Sequence, residues 1–359
     1  MTALKERIAR LIAATGPMSI ADYMATCLFD PDHGYYTTRE PFGRAGDFIT
    51  APEVSQMFGE LVAIWLHMAW RACGAPRDAV FVEIGPGRGT LMKDMLRTLA
   101  RLDAGFAARR FAMVETSPRL TALQQQTLSK SPIRPQWYSR LAEVPEGPLF
   151  IVGNELFDAL PIRQYVKTAT GWRERLVGLD EAGDLAFVAG AGAPDPALLP
   201  PEAATCEEGT VFETAPAREA MMETIASRLG TGGGAGLFID YGHERPALGD
   251  TLQAVRRHAY APVLADPGEA DLTAHVDFAA LAAVARAHGL AASVMSQGEF
   301  LLGLGLVERA GRLGAGRNAA VQERIRGEVE RLAGPQAMGT LFKVLAVLPA
   351  ATAVPPFGP

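Results

Sequence analysis

Several residue groups in this 359-residue chain have types and spacings suited to chemistry. The apolar run Ala79-Val80-Phe81-Val82 leads into Glu83-Ile84-Gly85-Pro86-Gly87-Arg88-Gly89-Thr90. Alternate glycines after a strand let a ligand reach the backbone with no Cβ in the way, and the helix that follows offers unpaired N–H groups. Such a turn can seat a pyrophosphate or an amino-acid carboxylate equally well. In a dinucleotide fingerprint the third glycine stands three positions after the second. Here Thr90 holds that position and the third glycine is Gly89, which argues against NAD. A second run, Arg110 to Glu115, also ends in an acid and is followed by Thr116-Ser117-Pro118. The most continuous apolar run of this half, Pro148 to Gly153, delivers Asn154-Glu155-Leu156-Phe157-Asp158 at the strand end where ligands of open α/β sheets gather.

Further along, Asp240-Tyr241-Gly242-His243 ends another apolar run, and His275 and Asp277 precede a helical stretch. None of these has the spacing of a metal-ligand motif, so they are read as a substrate pocket and its supporting hydrogen bonds, with Asp277 also a helix N-cap. No metal is expected.

Positioning these groups requires strands that alternate with helices, and hence a mostly parallel sheet covered on both faces. The expected strands are Ala79–Ile84, Arg110–Glu115, a short one near Gln136–Tyr138, Pro148–Gly153, Ala235–Asp240, a stretch around Ala291–Ser296 and Leu341–Leu348. Between them, Ile162–Val166, Arg173–Gly178 and Asp184–Val188 alternate with period two and suggest an inserted antiparallel meander. Leu4, Ile8, Leu11 and Ile12 give the N-terminus helical spacing, Ser19 is a plausible cap for a second helix, and Val54 to Trp70 is a further helix. Between the last two, Asp30 to Glu53 is aperiodic and carries Tyr35, Tyr36, Phe42 and Phe48. Loops of that length are generally functional or disordered, and the aromatics favour an ordered functional one.

Composition bounds the function. Apolar residues make up 48% and charged residues 21%, with mean hydropathy +0.09, as expected of a chain with a substantial core. The net charge of -6 and scattered basic residues make nucleic acid an unexpected partner. Cys27, Cys73 and Cys206 are far apart and form no disulfide or zinc pattern. No apolar run is long enough to span a membrane, and the first helix lacks the features of a secretory leader. The expectation is a cytoplasmic, bacterial protein.

The segment Glu83 to Gly89 resembles the first motif of the S-adenosylmethionine methyltransferases, in which the strand acid and glycine turn flank the methionyl end of the cofactor. An acid at the end of the second strand then receives the ribose hydroxyls. Glu115 fits that role physically, since one carboxylate accepts from two vicinal hydroxyls. A sulfonium cofactor also needs no arginine to neutralise a phosphate. Longer matches at Gly46–Glu60, Glu83–Met92, Asn154–Pro161, Gly268–Phe278 and Met338–Val344 resemble the MidA-like methyltransferases, a family that includes the mitochondrial assembly factor for respiratory complex I.

The resemblance covers nearly the whole chain, most weakly Leu179–Cys206. It implies a Rossmann-like, class I α/β fold with a mostly parallel seven-stranded sheet, an N-terminal helical lid and an antiparallel insertion. Residues 1–76 would form the helical lid segment, 77–161 and 235–359 the methyltransferase core, and 162–234 a substrate-side subdomain. The cofactor would be S-adenosyl-L-methionine, leaving as S-adenosyl-L-homocysteine. It would be held by Phe48, Thr50, Pro52, Ser55, Gln56, Glu83, Gly85, Pro86, Gly87, Gly89, Thr90, Glu115, Ser117 and Asn154. Asn154, Glu155 and Asp158 are the catalytic candidates, with Glu155 as main clamp on a guanidinium and Asp158 in support; Asp240, Tyr241, His275 and Asp277 would line the substrate pocket. The activity implied is methylation of arginine on a partner protein, such as a respiratory complex subunit. A small-molecule acceptor, an assembly factor that binds the cofactor mainly for stability, and a homo-oligomer all stay open.

Overall fold

The structure is a computed structural model that describes residues 2–38 and 49–358; Phe42 and Phe48 lie outside them. The chain divides into two compact units. One comprises residues 49–156, 222–244 and 276–359, and the other residues 1–48, 157–221 and 245–275.

The first of these is built on a sheet whose strands run, edge to edge, Gln136–Tyr138, Arg110–Val114, Val80–Ile84, Leu149–Asn154, Gly234–His243, Phe342–Pro349 and Leu290–Ser296. Adjacent strands pair in parallel as far as Gly234–His243, and Phe342–Pro349 is antiparallel to both its neighbours. Every residue of Val80–Ile84 is buried, as are the first five of Leu149–Asn154, because helices cover both faces of a parallel sheet and leave no polar side to alternate. Phe81 stacks on Phe111 and Phe150 of the neighbouring strands, with ring centroids 5.3 and 5.2 Å apart. These seven strands are the expected ones, but the sheet has eight: Val276–Asp277 pairs in parallel with the end of Gly234–His243. Two residues are too few to show a period, so this strand has no sequence signature.

The helix expected from Val54 is broken in two. Ala51–Val54 makes a single turn, Ser55 is extended, and Gln56–Ala72 follows with the Ser55 hydroxyl accepting from the Met57 amide at 3.4 Å. Pro52 within the first turn and a serine able to restart the helix account for the break. The C-terminal helices Gln297–Gly303, Leu306–Gly314 and Ala319–Ala333 complete this unit.

In the other unit, Arg163–Thr168, Gly171–Leu179 and Leu185–Ala189 form the expected antiparallel meander, joined by Met18–Ser19 and Val211–Thr214. A second small sheet consists of Ala259–Ala261, Gln253–Arg256 and Asp271–Thr273. Helix Ala3–Thr15 buries Leu4, Ile8 and Ile12, spaced four apart, whereas Leu11 falls off that stripe and is half exposed. Ser19 caps Ile20–Phe29 by accepting from the Asp22 amide at 3.0 Å.

Candidate active site

The strand order reverses between Val80–Ile84 and Leu149–Asn154: from Val80–Ile84 the chain moves outward to Arg110–Val114 and Gln136–Tyr138, then returns on the opposite side. Ligands of open α/β sheets bind beyond the carboxyl ends of the strands at such a point. Ile84 pairs with Gly153, so the glycine turn and Asn154 leave the sheet side by side.

Gly85, Gly87 and Gly89 all have positive φ, at 66°, 50° and 79°. A Cβ on Gly85 would stand 3.1 Å from Leu156, and Gly89 lies against Gln124. Gly89 is the left-handed N-cap of helix Thr90–Leu102 and gives its first turn no side-chain partner. Glu83 reaches forward to the Met92 amide of that turn. Its carboxyl is fully enclosed, and burial, with the neighbouring Glu115 adding to it, holds the group well above the usual carboxylate range.

Glu115 is fixed at both oxygens. Oε1 accepts from the Ser117 amide at 2.8 Å, and Oε2 accepts from the Gln124 side chain at 3.0 Å. Burial raises its pKa, and these hydrogen bonds act in the opposite direction. The Ser117 hydroxyl meanwhile caps helix Pro118–Thr127. Gln124 was not among the expected site residues. Its signal is a polar residue on the apolar stripe Leu120-Gln124-Leu128, where all three are buried.

At the neighbouring strand end, the Asn154 amide donates to Glu155 Oε1 at 3.0 Å, and the Ala51 backbone amide donates to the same oxygen at 3.3 Å. Glu155 has φ of 51°, a left-handed conformation costly for a residue with a side chain, and its own amide donates to the Ile239 carbonyl at 2.8 Å. Glu155 therefore holds one end of the Ala51–Val54 turn. At the other end, the Thr90 hydroxyl donates to Glu53, and Ser55, the residue after the turn, donates to Glu328 at 2.8 Å. Thr50 caps the turn by backbone position alone, Pro52 is buried in it, and the Gln56 amide is occupied by Glu60 at 3.2 Å. Pro86 accepts the Gly89 amide at 2.8 Å and so closes the glycine turn.

On the next strand Ile239 pairs with Asn154, which brings Asp240 beside the Asn154–Glu155 strand end. Asp240 is fully buried in its strand and accepts the Tyr241 amide at 2.9 Å, while Tyr241 packs on Phe342 at 5.6 Å. Asp277 caps helix Phe278–Ala287 by accepting from Ala280 at 3.0 Å. Asp158 and His275 belong to the second unit. There the buried Arg218, which sequence patterns did not single out, donates to the backbone carbonyls of Asp158, Ala274 and His275. The Asp158 carboxylate accepts the Ala159 amide at 2.8 Å. Among the described residues no group of three or more His, Cys, Asp or Glu is arranged to hold a metal, and no helix is long and apolar enough to cross a membrane.

The strand-end residues fit S-adenosylmethionine. Glu83 Oε2 and Asn154 Oδ1 are buried and have no hydrogen-bond partner among the described residues, so polar atoms of the site await a ligand. The Glu115 carboxylate matches a ribose diol, and the glycine turn leaves room for a close approach.

Comparison with known proteins agrees. Residues 61–296 match the Methyltransf_28 family of S-adenosyl-L-methionine-dependent methyltransferases. The chain is 37% identical to the Drosophila melanogaster protein arginine methyltransferase NDUFAF7 homolog, mitochondrial, over 96% of this chain and 85% of that one. It is 35% identical to the Homo sapiens protein arginine methyltransferase NDUFAF7, mitochondrial, over 94% and 81%. A crystal structure of a COG1565 superfamily member from Burkholderia thailandensis bound to S-adenosyl-homocysteine superposes with a TM-score of 0.86 at 31% identity, covering 98% of this chain and 93% of that one. The expected cytoplasmic location is corrected by these relatives, whose names are mitochondrial; the features of a first helix that argue against a secretory leader do not select the cytoplasm among the remaining compartments. A glycine turn and paired strand-end acids at the switch point of the sheet, together with these similarities along almost the whole chain, establish that it belongs to the S-adenosyl-L-methionine-dependent methyltransferases.

Proposed function

We propose that this enzyme methylates a guanidinium nitrogen of arginine on a partner protein, with a respiratory complex subunit as the partner class. The observation that carries the reading is Glu155: a glutamate held at φ of 51° beside Asn154 at the switch point, in a chain whose relatives are named protein arginine methyltransferases. The cofactor, when bound, supplies a methyl group on a sulfonium, a leaving group that needs no acid.

The work left to the protein is therefore positioning and electrostatics. Glu115 holds the ribose, and Glu83 and the glycine turn hold the methionyl end. The Asn154 amide orients the Glu155 carboxylate, which is the clamp on the guanidinium. A carboxylate there fixes the acceptor nitrogen, offsets the charge and accepts the proton that nitrogen gives up, which then passes to solvent. The Ala51–Val54 turn, fastened by Glu155 and Thr90, excludes water beside the strand ends.

Incubation with methyl-labelled S-adenosylmethionine and a whole-cell extract, followed by separation of protein from small molecules and mass spectrometry of the labelled protein, tests the reading. Label on arginine is expected. Label confined to small molecules or to another residue type overturns it.

A further inference from the structure

We propose that Gln124 is a positioning residue for the cofactor's ribose, acting through Glu115. The inference rests on the reading of Glu115 as the acceptor of the ribose hydroxyls. Gln124 is fully buried, and its orientation follows from its partners. The Trp137 indole N–H lies 2.9 Å from Oε1 and can only donate, so the carboxamide oxygen must face it. The nitrogen then faces two acceptors, the Gly87 carbonyl at 2.8 Å and Glu115 Oε2 at 3.0 Å, and spends one hydrogen on each.

One amide thus ties the glycine turn to the acid that follows the next strand. The Ser117 amide holds Glu115 Oε1 and the Thr116 amide also donates to the carboxylate, so the plane of the carboxylate is anchored. Two oxygens offered in a fixed plane suit two vicinal hydroxyls. The contact is close as well: a Cβ on Gly89 would stand 3.4 to 3.5 Å from Gln124 atoms, so the turn and the glutamine are already packed together. Without the glutamine, Glu115 can rotate away and the Gly87 carbonyl loses this partner.

Calorimetric titration of S-adenosylhomocysteine and its 2′-deoxy counterpart into the wild type, Glu115→Gln, Gln124→Met, Trp137→Phe and the Glu115→Gln/Gln124→Met double variant tests this, with thermal melts as the control for folding. Gln124→Met should weaken S-adenosylhomocysteine binding about tenfold, the scale of one hydrogen bond to a charged group. The loss should shrink to about twofold or less for the 2′-deoxy ligand, and Gln124→Met should add little in the Glu115→Gln background. Trp137→Phe, which only frees the amide to turn, should give a smaller loss with the same dependence on the ribose hydroxyl. An equal loss for both ligands, or full additivity with Glu115→Gln, would show a packing role and overturn the proposal. Should Gln124→Met fail to fold, Trp137→Phe decides by the same criterion. Failure of the underlying reading is separately visible, because Glu115→Gln would then bind S-adenosylhomocysteine like the wild type, and both inferences would fall.

Discussion

Two adjacent strand ends reach the same backbone geometry by different means. After Ile84 the chain turns through three glycines at positive φ, which adopt it at no steric cost. After Asn154 the chain does so at a glutamate, with φ of 51°, where a side chain costs about 1–2 kcal/mol. The first end gives up side chains so that a ligand can approach the backbone. The second accepts strain to keep a side chain, and steadies it through the Asn154 amide, the Ala51 amide and the Ile239 carbonyl. One end is thus suited to holding a cofactor, and the other to acting on what the cofactor meets.

That division can be broken at several points. The largest effect is expected from Glu155→Ala, which should lower methyl transfer by about a hundredfold or more while S-adenosylhomocysteine affinity stays within a few fold. Parallel loss of both would reassign Glu155 to fastening the Ala51–Val54 turn over the cofactor. Gly89→Ala should weaken S-adenosylhomocysteine binding about tenfold, since it imposes strain at φ of 79° in the turn that faces the cofactor; calorimetry reads it directly.

A smaller, several-fold effect should appear with pH. Burial raises the Glu115 pKa, and hydroxyls donate better to its ionised form, so affinity should fall on acidification from above the ordinary carboxylate range, and Glu115→Gln should flatten that profile. The smallest effect concerns the strain itself. Glu155→Gly should be more stable to urea than Glu155→Ala by about 1 kcal/mol, because only glycine accepts the turn freely. Equal stability would mean that the left-handed residue carries no cost.

The cofactor half was legible because its signals are local. Val80–Ile84 and Leu149–Asn154 are unbroken apolar runs, and the glycine turn is contiguous in sequence. Gln124 was less visible, since its partners Gly87, Glu115 and Trp137 come from separate segments and only its place on an apolar stripe marks it. Arg218 has no such mark, because its hydrogen bonds go to backbone carbonyls, which any sequence supplies. The compact motif Asn154–Asp158 concealed a division of the chain: Glu155 belongs with the parallel sheet, whereas Asp158 belongs to the unit built around the antiparallel meander.

The Trp137 indole, hydrogen-bonded at 2.9 Å to the glutamine that grips Glu115, also gives the protein a built-in optical gauge. Indole emission responds to the polarity and hydrogen bonding around the ring. Trp65 and Trp70 are packed into the core through helix Gln56–Ala72, and Trp172 lies in the antiparallel sheet. A change in intrinsic fluorescence on cofactor titration, absent in Trp137→Phe, would therefore report from the Glu115 side of the site with no label added.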